Sequence, residues 1–176
     1  MQNYYGELAA LFTAFMWTVS SMAFEAAGKR IGSLSLNILR LIMALLFISA
    51  INYFSRGLVL ATDADAYTWF WLAISGLVGF VIGDLLLFQA FIVIGARITM
   101  LVMSLAPPIT AMIGWMLLGE TLTFKQILAM TVTVSGILMV MIFRKNKDKG
   151  VKYGKKSISV AMAGFLLALG GTIGQA

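Results

Sequence analysis

Two charged residues stand where charge is expensive. Arg40 lies nearly two turns inside an apolar run from about Leu34 to Phe54, and Asp84 lies near the middle of another, from about Trp69 to Ile94. In hydrocarbon each such charge costs ~2.5–3.5 kcal/mol on insertion scales, so each needs a partner or a task. The Arg40 stem can snorkel toward an interface, but the short Asp84 side chain cannot. In antiparallel neighbouring helices the two would differ in depth by only ~6 Å, at 1.5 Å per residue. An ion pair facing the bundle interior is therefore expected, either as structural glue or as a centre coupling substrate or protons. Glu25 precedes Lys29 by four residues, the favourable order for an interfacial helix pair.

Softer polar groups accompany them. Trp17, Thr18, Ser20, Ser21, Asn37, Gln89 and Ser104 all fall within apolar runs. Ser and Thr in such runs bond their own backbone or join neighbouring helices. Trp17 is unusual because Trp prefers the interface, and a mid-helix indole N–H wants a partner. Trp17, Ser20, Ser21, Asn37, Arg40, Asp84, Gln89 and Ser104 form the expected substrate-cavity set. Pro107 and Pro108 each remove a backbone donor and free a carbonyl one turn earlier, so they mark a hinge for gating or a packed kink. Gly76, Gly79 and Gly83 give one smooth helix face suited to close contact.

These residues sit in 176 positions that are 61% hydrophobic and 11% charged, with a mean hydropathy of +0.96. A soluble domain is about 45–50% apolar and about 25% charged, so a water-soluble globular protein is excluded. The absence of Cys and His removes disulfides, zinc sites of those ligands, thiol nucleophiles, His bases and haem ligation. No metal, no cofactor and no enzymatic activity are expected. Five continuous apolar runs span about Gly6 to Ala27, Leu34 to Phe54, Trp69 to Ile94, Thr99 to Leu118 and Phe124 to Phe143, and a sixth begins near Ile158. Each approaches the ~20 residues that cross a bilayer as a helix. None alternates like a barrel strand. The first run lacks a basic leader and is too long for a signal peptide, so it reads as a permanent helix.

Three regions follow: a five-helix transmembrane unit over 1–143, a basic linker over 144–157, and a partial sixth helix over 158–176. The sixth run stops without an interfacial anchor, as the front half of a longer protein would. Leu11 to Ser21 and Phe165 to Gln175 align at an offset of 154, with Ala14 against Ala168 and Thr18 against Thr172. That is what the opening of a second copy would look like. Seven of the thirteen basic residues lie between Arg144 and Lys156. Lys29, Arg30 and Arg97 join them on one face, against Arg56 and Lys125 opposite. The positive-inside bias puts this loop in the cytoplasm and the N-terminus outside, in a multi-pass protein of the inner (plasma) membrane. An odd number of spans then inverts any second unit.

The ordered set of pieces resembles the EamA-type domain of the drug/metabolite transporter superfamily, over residues from about 7 to 143. The resemblance rests on Trp17 in helix 1, Leu39 and Arg40 entering helix 2, and the stretch from Gly83 to Phe91. It continues through Leu105, Pro107, the run Gly114-Trp115-Met116-Leu117-Leu118-Gly119-Glu120, and Gly136. Gly119 and Glu120 are the family-motif residues. Ala106 stands where the family often has an acid, and many members carry the opposite charge pattern at their termini and loops. The resemblance implies an all-α membrane fold, the first half of a ten-helix inverted-repeat transporter. It further implies export or exchange of small metabolites, with binding between two repeats. Alternatives are a lipid-linked sugar flippase or its accessory subunit, and a non-transporting scaffold or truncated fragment. The implied partners are a small-molecule substrate, the lipid bilayer, and a homodimer mate or second five-helix half; nucleic acid is not among them. Reversing either charge alone, Arg40→Asp or Asp84→Arg, is expected to lower folded yield in detergent, and the double swap to recover it. A double swap that recovers nothing would show that the two residues are not paired.

Overall fold

A continuous apolar sequence in lipid must satisfy its backbone within each segment, and helices result. The computed structural model describes residues 4–59, 64–147 and 155–176, with side chains described outside 141–159. The elements are α1 (Tyr5–Ile31), α2 (Ser33–Arg56), α3 (Ala66–Gly76), a π-helical stretch (Leu77–Gly83) and α4 (Asp84–Ile94). They continue with α5 (Ala96–Met103), α6 (Ala106–Leu118), α7 (Phe124–Lys147) and α8 (Lys155–Gln175). Among the described residues there is no strand. Among the described residues, four helices have the length and hydropathy of membrane crossings: Tyr5–Ile31, Ser33–Arg56, Ala66–Ile94 and Ala96–Leu118. Phe124–Val140 and Val160–Gln175 are apolar but shorter among the described residues. Asp63 and much of the basic linker over 144–157 lie outside those residues.

Two of the expected runs depart from regular α-helix. The third changes to π-helical bonding over Leu77–Gly83 before regular helix resumes at Asp84. The fourth breaks at Ser104 and Leu105, and the two prolines occupy the first turn of α6. Helix starts lack partners for their first N–H groups, so proline loses little there. The connections are equally economical. One glycine, Gly95, joins α4 to α5 at φ +84, a conformation other residues rarely adopt. Glu25 on α1 accepts the N–H of Ala96 at 2.7 Å and so caps α5, while also pairing with Lys29 as its spacing suggests. Asp65, outside the spans, caps α3 by accepting the Thr68 N–H at 3.2 Å. Its contacts with Thr68 hold its carboxyl below the usual range.

Packing centres on α4, which touches α1, α2, α5 and α8. Leu36, Leu87, Phe88, Phe91 and Ala96 form one buried cluster, and Ala90, Val102 and Ala168 form another. Phe12, Phe15, Leu45, Phe47, Leu117 and Leu128 are among many large apolar side chains left exposed. In water that would be untenable, but lipid tails solvate them as well as protein does.

Small residues let α8 approach closely. A Cβ on Gly171 would stand 3.0 Å from Gly83 O and from Leu87 N, and one on Gly174 only 2.9 Å from Gly83 Cα. Gly79 also faces Gly174, whereas Gly76 faces open space. The glycine stripe of the third span therefore serves packing at two of its three positions. Threonines on α1 and α8 bond the carbonyl one turn back. Thr18 donates to Ala14 O at 2.9 Å, and Thr172 donates to Ala168 O at 2.7 Å. Ala168 and Thr172 are fully buried, while Ala14 and Thr18 are exposed. Gly171→Val is expected to overpack the α8 contact and cost about 1–3 kcal/mol. It should lower the melting temperature in detergent, whereas Gly76→Ala at the open position should not.

Candidate functional site

Asp84 opens α4 and is 2% exposed. A carboxylate so deep must be paired and hydrogen-bonded to remain charged. The Arg40 guanidinium supplies the pairing, donating from Nη2 to Asp84 Oδ2. The amide of Gln175, at the end of α8, donates to the other oxygen, Oδ1. Three helices therefore meet at one carboxyl group. The Arg40 side chain is 26% exposed, and its guanidinium lies 5.2 Å from the Phe88 ring centroid and 5.9 Å from that of Phe80. Those rings cover a cation that has left water.

The positions on α2 explain why Arg40 points this way. Ser33, Asn37 and Arg40 stand at i, i+4 and i+7, on one helical face. All three reach the third span. Ser33 Oγ donates to Gln89 Oε1 at 2.6 Å. Asn37 Nδ2 donates to the carbonyls of Phe80 and Val81 at 3.1 and 3.2 Å, both within the π-helical stretch. The buried Asn37 side chain thus braces the irregular backbone that leads into Asp84. Among the described residues, two buried side-chain polar atoms have no hydrogen-bond partner, Asn37 Oδ1 and Arg40 Nε.

The other expected site residues are placed differently. Ser21 is buried and donates to Thr18 O at 2.9 Å, and Ser20 is half-buried beside it on α1. Trp17 is 51% exposed, on the same helix. Ser104, in the break after α5, is exposed and donates to Leu101 O at 2.6 Å in the last turn of that helix. Pro107 is exposed and Pro108 buried at the start of α6. Both line a groove of about 370 Å³ with Glu120, Gln126 and Thr133. Gly119 ends α6 at φ +67, which turns the chain so that the Glu120 N–H bonds Gly114 O at 3.3 Å. The Glu120 carboxylate folds over Gly114, where a Cβ would stand 2.7 Å from Oε2. The glycines of that run are therefore spaced to accept the acid that closes it. Among the described residues, no group of three or more acidic side chains could hold a metal ion.

Ser33 and Gln175 join the site without being among the expected residues. Ser33 had a signal, since it continues the Asn37 and Arg40 stripe one turn earlier. Gln175 had none, because its contact spans 91 residues.

Helices of crossing length around a buried ion pair define a multi-pass membrane protein. A model of the EamA-like transporter family matches residues 4–142, and the chain belongs to that family, within the drug/metabolite transporter superfamily. No curated protein and no solved structure matches it. Membership points to passage of small molecules through a membrane rather than to enzymatic catalysis. Asn37→Leu is expected to leave the Phe80 and Val81 carbonyls without their donor and to cost about 1–3 kcal/mol. A melting temperature in detergent measures this, and an unchanged value would remove Asn37 from its bracing role.

Proposed function

We propose that the chain is a secondary transporter unit that moves small metabolites out of the cell, or exchanges them, by alternating access to a midplane cavity. The observation that carries this reading is the Asp84–Arg40 pair, buried among three helices of a transporter-family domain. Ionisable residues in such positions mark substrate and ion pathways because their insertion cost otherwise selects against them. The pair is internally neutralised, and the Arg40 side chain as a whole stays partly exposed. It offers a donor to a polar or anionic group on a substrate. Asn37 and Gln89 stand on the same face of the third-span contact and complete the polar lining in this reading. Trp17, Ser20 and Ser21 on α1 add to the cavity lining in this reading. In this reading Ser104 adds to the lining, and the Pro107–Pro108 break serves as the hinge.

The same reading places the N-terminus outside and the basic linker in the cytoplasm of a plasma or inner membrane, as the distribution of Lys and Arg favours. A second five-helix unit, inverted relative to the first, or a homodimer mate completes the cavity. The test is flux. The full chain, reconstituted in liposomes, is expected to exchange labelled solutes from pools of amino acids, nucleotide-sugars and other polar metabolites. Asp84→Asn should reduce the rate about tenfold or more, the scale of one charge-assisted hydrogen bond. Folded protein that moves none of these pools would sink the transport reading.

A further inference from the structure

The two oxygens of Asp84 are divided between two donors. Oδ2 accepts from Arg40 Nη2, and Oδ1 accepts from Gln175 Nε2. A guanidinium presents Nε–H and one Nη2 N–H along the same edge, spaced to meet both oxygens of a single carboxylate. That edge is half used here: Arg40 Nε is buried and has no hydrogen-bond partner. With Oδ1 turned toward Gln175, the Nε–H faces no acceptor.

We infer that Gln175 is a positioning residue in a two-state latch. With α8 docked, Gln175 holds Oδ1 and Arg40 holds Oδ2. With α8 moved away, Asp84 turns Oδ1 to Arg40 Nε and closes the two-bond fork. The carboxylate keeps two donors in both states, so the motion of α8 leaves no bare buried charge. The α8 contact is close, with Gly164 against Val93 and Ile94 and with Gly171 and Gly174 against Gly83, while Phe165, Leu167 and Leu169 pack around the buried Ala90, Val102 and Ala168. Among the described residues, α8 has two polar tethers to the rest of the chain: Gln175 to Asp84, and Ala176 O accepting from Thr110 Oγ1 at 3.1 Å. The use of this latch as a gate rests on the transport reading above, but the exchange of donors rests on the contacts themselves.

The chain has no cysteine, so a pair can be introduced without background labelling. Spin labels at Met162→Cys on α8 and Leu39→Cys on α2, both exposed positions, report their separation in the reconstituted full chain. The starting protein is expected to show mainly the docked distance. Gln175→Leu should raise the ratio of undocked to docked about tenfold or more, as one charge-assisted hydrogen bond is lost from one state only. Arg40→Lys should move the ratio the other way, because an ammonium has no two-donor edge to offer Asp84. An unchanged distribution in Gln175→Leu, or a shift in the same direction for Arg40→Lys, would overturn the latch. If Arg40→Lys does not fold, Gln175→Leu decides alone. Flux measured in parallel separates the two readings. Lost flux with unmoved distances overturns the latch and leaves transport standing. Shifted distances in a chain that moves no solute overturn transport and leave the latch standing.

Discussion

A carboxylate inside hydrocarbon has no water to fall back on, and the arrangement of the helices around α4 answers to that. Asp84 can remain charged only if donors are brought to both of its oxygens. Arg40 must therefore be held at matching depth on α2, and α2 must present the right face. Ser33 and Asn37 fix that face by bonding the third span above and below. The Arg40 cation in turn needs cover, which Phe80 and Phe88 give. Remove the carboxylate and each of these placements loses its reason.

Much of this was legible in the sequence because the cost of a buried charge is severe enough to dictate an outcome. Two ionisable residues in neighbouring apolar runs had to meet, and Arg40 and Asp84 do. The break in the fourth run was equally readable from Pro107 and Pro108, since ring closure removes the donors a continuing helix needs. Glu25 was half legible. Its spacing to Lys29 gave the ion pair, but its capping of Ala96 depends on how α1 lies against the start of α5. Gln175 was illegible for the same reason, as nothing local binds an amide to a carboxylate 91 residues earlier.

The membrane explains a further limit. In a soluble helix, alternating faces reveal which side is buried and in which phase. The third span is apolar nearly all round, so its sequence carries little phase to read. Its burial had to come from shape, through Gly79 and Gly83 against Gly174.

The π-helical stretch from Leu77 to Gly83 carries a geometric consequence for that same span. Wider turns rotate each residue less than an α-helix does, and over seven residues the accumulated lag is roughly a third of a turn. A helical wheel drawn straight through Ala66–Ile94 would therefore aim Asp84 away from α2. The halves of this span are out of step with one another. That slip lets one rod turn its first half toward lipid and its second half toward the protein interior.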